Sequence, residues 1–151
     1  GTDHPKYATH RGNLATVQWA QGNLPEARAG LGHAIAVYEK VLSRPGHPNL
    51  IDAYANLGSV LIKLENFALS KEYLCKALGL NAQLRGPDHT LVGNDHANLG
   101  RLYYATGDMA AARDQFAKAL EIYLANVKRK RLPRRHPYIE EAQIWLERAK
   151  C

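Results

Sequence analysis

Apolar residues recur along this chain at helical spacing, and no stretch alternates as a strand would. From Ala27 the apolar positions continue at Leu31, Ala34, Ile35 and Tyr38, offsets of 4, 7, 8 and 11 residues, which lie on one stripe of a helix. The template returns further on. Ala27, Ser70 and Ala112 align as small residues, followed by Leu31, Leu74 and Phe116 and then by Ala34-Ile35, Ala77-Leu78 and Ala119-Leu120. Upstream, His4-Pro5 recurs as His47-Pro48 after 43 residues, as His89-Thr90 after a further 42 and as His136-Pro137 after 47. Nine residues after the first three histidines stand Asn13-Leu14-Ala15, Asn56-Leu57-Gly58 and Asn98-Leu99-Gly100, and nine further a turn, Gly22-Asn23, Glu65-Asn66 and Gly107-Asp108. A fixed period of this kind decides architecture before any single motif does.

Each period reads as a hairpin of two helices. Proline after the histidine suits a first helical turn, where its missing N–H costs nothing. The pattern predicts first helices near 5–21, 48–64 and 89–106, second helices near 24–43, 67–84 and 109–127, and a final helix near 137–150. Ala15, Gly58 and Gly100 are expected to face Ala27, Ser70 and Ala112, so that the two backbones of a hairpin approach closely. One hairpin cannot cover its own apolar stripe, and stacking on the next one does so. The predicted fold is all-α, a right-handed superhelical solenoid of antiparallel helix pairs with a concave groove. It forms a single domain over residues 3–150, with repeats at about 4–46, 47–88 and 89–131 and a capping helix at 137–150. That last helix is either a cap or the start of a further unit.

Composition narrows the class without naming an activity. Of 151 residues, 46% are apolar and 23% charged, ordinary globular proportions that argue against disorder, collagen or low complexity. No apolar run approaches the roughly 20 residues of a membrane span, and the start, Gly-Thr-Asp-His-Pro, has no signal-peptide character. The absence of an initial Met and the terminal Cys151 fit a trimmed segment. Two cysteines, Cys75 and Cys151, cannot build a disulfide framework or a metal site by themselves and fit a reducing, cytoplasmic setting. Cys75, beside Leu74, is expected to be a small apolar filler on the second-helix stripe.

The charge is concentrated. Lys plus Arg number 20 against 14 acidic residues, a formal balance of +6, and six cations, Lys128, Arg129, Lys130, Arg131, Arg134 and Arg135, account for the whole excess. This cluster is either a solvated helix end that complements the helix dipole or a patch for an acidic partner, nucleic acid or import machinery. No aromatic residue is interleaved for base stacking, which places nucleic acid last.

Catalytic readings find little. Four of the seven histidines belong to the repeat junction, and His10, His33 and His96 have no carboxylate at ligand spacing; Asp95 directly precedes His96, so the two point to different helix faces. No phosphate loop, nucleophile elbow or zinc motif is present. The chain is therefore expected to be no enzyme, with no cofactor and no metal.

Leu99-Gly100, the turn Gly107, Ala112 and Phe116 resemble the tetratricopeptide repeat. The period of 42 to 43 residues exceeds that repeat's usual length of about 34. With the Gly-x-x-His-Pro-like junction and the Asn-Leu-Ala motif, it is similar to the longer subclass typified by kinesin light chain. HEAT and armadillo repeats have comparable periods but lack this glycine and alanine arrangement. The resemblance covers residues 3–150 and departs from the pattern at Glu65, which replaces the turn glycine, at Thr90, which replaces the junction proline, and in the single helix of the fourth unit.

Asparagine inside a helix is disfavoured against alanine by roughly half a kcal/mol, so Asn13, Asn56 and Asn98 in register ask for a reason. Either each amide bonds a neighbouring helix or loop, or the row points into the groove and pairs with the C=O and N–H of an extended peptide. The resemblance implies the second, since tetratricopeptide domains similar to this one use the corresponding asparagines in that way. Groove neighbours one turn away are Thr9, Thr16 and Ala20; Asp52, Ser59 and Lys63; Asn94, Arg101 and Ala105. Lys63 and Arg101 either read a carboxylate or are plain surface charge. Chaperone-binding members of the family use Lys-x-x-x-Asn and a later Lys-x-x-x-Arg; here the lysine places hold Thr9 and Asn94, and Asn98 replaces the arginine. In the last helix Glu141, Ile144, Trp145 and Arg148 share the equivalent face, with Trp145 either a lid on the third repeat or an exposed anchor.

The function expected from this is a noncatalytic adaptor or scaffold that binds an extended peptide from another protein or another domain of its own chain, with acidic residues in that peptide as one option. The alternatives are a slice of a longer array or a self-associating unit, and, as a minor option, binding of nucleic acid or an acidic surface through residues 128–135.

Overall fold

The computed structural model describes residues 3–42 and 46–150. Among them lie seven helices and no strand: α1 (Pro5–Ala20), α2 (Leu24–Val41), α3 (Pro48–Lys63), α4 (Phe67–Arg85), α5 (Thr90–Ala105), α6 (Met109–Lys128) and α7 (Pro137–Arg148). Position 43, the expected end of the first unit's second helix, and Cys151 lie outside the described residues. No helix is long and apolar enough to cross a membrane among those described.

The repeated histidine has a local cause. His4, His47, His89 and His136 are the N-caps of α1, α3, α5 and α7. In each, Nδ1 accepts the backbone N–H two residues on, at 3.1, 3.2, 3.1 and 3.3 Å respectively. Helix starts leave several N–H groups without partners; where proline follows the histidine it removes one of them, and the imidazole satisfies the next. This is the task that Ser, Asp or Asn side chains usually perform.

The turns that end the first helices share one geometry. Gly22, Glu65 and Gly107 are left-handed, with φ of +82°, +58° and +83°. In each, the left-handed residue and its successor return hydrogen bonds to the helix, Asn23 to Gln18 at 2.8 Å, Asn66 to Leu61 at 2.9 Å and Asp108 to Tyr103 at 2.9 Å, the Schellman pattern. Glu65 adopts the same conformation at a steric cost of about 1 kcal/mol.

The chain divides within α4 into two compact units, residues 1–80 and 81–151. In the first, α1 packs on α2 and α2 on α3, around a core that includes Ala15, Ala27, Leu31, Leu57, Leu61 and Ala77. In the second, α5 packs on α6 and α6 on α7, around Phe116, Ala119, Tyr123, Ile139 and Ala142. The small residues of the first helices do permit close approach, but large side chains one turn beyond the expected partners fill the space. A Cβ on Gly58 would stand 2.5 Å from Leu74 Cδ2, and one on Gly100 would stand 2.7 Å from Phe116 Cε1. Ser70 does meet its expected partner, donating from its hydroxyl to the Gly58 carbonyl at 2.7 Å.

Cys75 departs from expectation. Ser70, Leu74, Ala77 and Asn81 are the buried positions of α4, and Cys75 is exposed, because each residue turns the helix by about 100° and carries Cys75 off the stripe that Leu74 occupies. The contacts of two buried asparagines in the second unit had no sequence signal. Asn81 donates through Nδ2 to Asp95 Oδ2 at 2.6 Å, and Asn126 donates to the carbonyls of Asp88 and Ile122, both at 2.8 Å.

Candidate functional site

Asn13, Asn56 and Asn98 all sit on first helices, α1, α3 and α5. Asn13 is exposed, and Asn56 and Asn98 are half-buried. In the first unit Asn13 and Asn56 line one shallow depression of about 100 Å³ with Thr9, Thr16, Asp52 and the Tyr38 ring. Tyr38 rises from α2 between the two first helices, and its hydroxyl shares a hydrogen bond of 2.8 Å with Thr9 Oγ1. Thr16 donates to the Asn13 carbonyl at 2.7 Å and Ser59 to the Ala55 carbonyl at 3.0 Å; each hydroxyl proton is held by its own helix, leaving the oxygen as an acceptor. Ser59 and the exposed Lys63 do not line this depression.

In the second unit Asn94, Asn98 and Arg101 of α5 line a depression of about 180 Å³ with Tyr123 of α6 and Tyr138, Glu141 and Trp145 of α7. Tyr123 repeats the role of Tyr38, donating to Asn94 Oδ1 at 2.7 Å. Burial pushes the Tyr123 hydroxyl well above its ordinary pKa, so it stays protonated and remains a donor. Arg101 donates to Asn98 Oδ1 at 2.7 Å, and its other terminal nitrogen pairs with Glu141. Asn98 thus has its oxygen engaged and its amide N–H groups directed to no partner among the described residues. The carboxylate that Arg101 reads in this structure is the chain's own. Glu141 shares the equivalent face of the last helix, yet neither its pairing with Arg101 nor the tyrosine hydroxyls under the depressions had a signature in the sequence.

Trp145 is half-buried. Its ring stacks on Phe116 at 5.5 Å and 11°, meets Tyr104 edge-on at 5.1 Å, and lies under the Arg148 guanidinium at 5.1 Å. It covers the third repeat as a lid and also borders the depression.

The six cations of 128–135 occupy the end of α6 and the loop that follows. Arg129 pairs with Asp88 at 3.2 Å; the other five have no carboxylate partner among the described residues. His96 Nδ1 lies 2.7 Å from Gln115 Oε1. No group of three or more His, Cys, Asp and Glu among the described residues is placed to hold a metal ion.

Two models of the tetratricopeptide repeat match this chain, over residues 49–125 and 8–49. The Clustered mitochondria protein homolog of Debaryomyces hansenii is 27% identical over 97 residues, 60% of this chain and 7% of that protein. The chain therefore spans a small part of that relative's length. Among solved structures, BtubC (BKLC) of P. vanneervenii superimposes with a TM-score of 0.83 at 21% identity, covering 97% of this chain and 56% of that one. A protein from Podosopora anserina, described as a kinesin light chain with nearly identical TPR-like repeats, gives 0.75 at 23% identity over 99% of this chain and 68% of its own. The N-terminal domain of stress-induced protein-1 from C. elegans gives 0.62 at 17% identity over 93% and 95%. These likenesses carry the fold, an all-α helical-repeat solenoid of the kind the repeat pattern predicts.

Proposed function

Because the chain belongs to the tetratricopeptide repeat family, whose repeats mediate protein–protein interaction, we propose that it is a noncatalytic module that holds an extended peptide segment by its backbone. The observation that carries this reading is the placement of the asparagines. Asn13 and Asn56 share one solvent-open depression, and Asn98 lines another with Asn94 and Arg101. An amide has one acceptor and two donors, enough to meet both the C=O and N–H of a passing strand. In this reading Thr16 contributes an acceptor in the first depression, Ser59 and Lys63 add an acceptor and a charge on α3 beyond its lining, and Arg101, with Asn94, sets the preference in the second depression. A peptide with acidic residues fits only where it competes with Glu141 for Arg101. Residues 3–150 form one domain in this reading, in a cytoplasmic, reducing setting where the exposed Cys75 thiol persists.

The test is a peptide array probed with the purified chain, followed by isothermal titration of the tightest binder against the double variant Asn56→Ala, Asn98→Ala. Binding is lost while helicity by circular dichroism is retained; unchanged affinity contradicts the reading.

A second reading, self-association or membership in a longer array, is favoured by the outer face of α1. Tyr7, Leu14 and Val17 lie at helical spacing there and are 39, 47 and 50% exposed. Light scattering at rising concentration tests it. A mass that grows for the parent chain and stays monomeric for Leu14→Glu, Val17→Glu supports self-association, and a parent that is monomeric throughout excludes it.

A further inference from the structure

We propose that the turn and loop following α6 form a second binding surface, separate from the asparagine depressions, that takes an acidic peptide segment of a partner protein. Lys128, Lys130, Arg131 and Arg134 ring a depression of about 640 Å³ whose apolar lining is Val127, Leu132 and Pro133.

The backbone fixes this arrangement. Lys130 is left-handed, with φ of +58°. Its N–H returns to the Val127 carbonyl at 2.9 Å, and the N–H groups of Arg131 and Leu132 both return to the Asn126 carbonyl, at 2.8 and 3.2 Å. Asn126 is itself buried and bonded to the Asp88 carbonyl, so the base of the loop is tied to the α4–α5 junction. Main-chain bonds hold the backbone from which these exposed cations project, so the turn at Lys130–Leu132 need not be reordered when an anion arrives, one part of the preorganisation that raises affinity.

The loop also shows which chemistry it accepts. The internal carboxylate Asp88 sits on Arg129, and the remaining five cations carry no such partner. Arg131 and Arg85 act together on His89, whose pKa burial and these two charges lower, so the positive field extends onto the helix junction. Uncompensated like charges at this density repel one another, and an anionic partner relieves that repulsion. An acidic peptide is the occupant that fits the mixed lining. The depression offers the half-buried Val127 and Leu132 side chains to an aliphatic residue flanked by carboxylates. None of its lining residues is aromatic, so bases have nothing to stack on, and its one exposed apolar residue, Pro133, falls short of the large apolar face that membrane insertion requires.

The experiment uses the whole chain and three probes in fluorescence anisotropy and flotation: a labelled Glu/Asp-rich peptide bearing one Leu, an oligouridine of equal charge, and phosphatidylserine vesicles. The peptide binds, and its affinity falls as salt screens the charges. The combined variant Lys128→Gln, Arg131→Gln, Arg134→Gln, Arg135→Gln weakens it about tenfold or more, whereas Arg131→Lys, Arg134→Lys, Arg135→Lys retains most of it. Lys130 is left in place because of its left-handed backbone. Asn13→Ala, Asn56→Ala, Asn98→Ala keeps the salt-dependent part of the acidic peptide's binding that the glutamine variant loses, which separates this surface from the asparagine depressions. Equal binding by the glutamine variant, or tighter binding of the RNA or the vesicles than of the peptide, overturns the proposal.

Discussion

A histidine can cap a helix only while its Nδ1 carries a lone pair, so the cap at His89 ties local structure to pH. At His89, burial first, and then the charges of Arg85 and Arg131, lower the pKa below its ordinary 6.5. The unfolded chain therefore takes up a proton at a higher pH than the folded chain does. The contribution of this ring to stability is complete above pH 6.5 and is lost as the pH falls from there through the lower folded value. His89→Ala is expected to lower stability by about 1 kcal/mol at pH 7.5 and by less at pH 5, where the parent's unfolded chain has already taken up the proton. Urea midpoints at the two pH values measure this, and an equal loss at both contradicts it. Glu65 shows what one residue conceals from a sequence reading. It stands in a glycine place, which reads as a broken motif, yet the Asn66 to Leu61 bond holds it left-handed.

At the scale of elements, the sequence was legible wherever a face repeats. The stripe from Ala27 to Tyr38 is buried throughout, and all seven described helices begin within a residue of their histidine, proline or turn signals. What was not legible depends on contacts between helices that are distant in sequence. Cys75 and Leu74 are neighbours in the chain, but only Leu74 meets Gly58. The Arg101 and Glu141 pair spans α5 and α7, and the Asn81 to Asp95 bond joins α4 to α5; no periodicity encodes either. Glycines inside helices separate the two kinds of information. A Cβ at Gly79 meets nothing within 4 Å, whereas one at Gly100 strikes Phe116, which cannot retreat because Trp145 is stacked on it. Gly79→Ala is expected to stabilise the chain by about 0.5–1 kcal/mol through helix propensity. Gly100→Ala is expected to destabilise it by about 1–3 kcal/mol through overpacking. Thermal or urea unfolding of the two variants decides this, and shifts of the same sign contradict the packing described.

For the molecule as a whole, the division of labour follows the chemistry of its surfaces. The asparagine side chains of the first helices carry no charge, and six cations that equal the whole net excess are gathered at 128–135. Neutral amides favour recognition of what every peptide shares, its backbone, and the proposed second surface would add a preference for acidity. The central claim is recognition of the backbone. Isothermal titration of the tightest peptide from the array, compared with the same sequence carrying N-methyl groups on alternate backbone amides, tests it most directly. Each hydrogen bond removed is worth about 0.5–1.5 kcal/mol, so losing two or three weakens binding about tenfold or more, with alanine replacement of the peptide's side chains having a smaller effect. Equal affinity for the methylated and parent peptides, with binding lost only when side chains are removed, contradicts it.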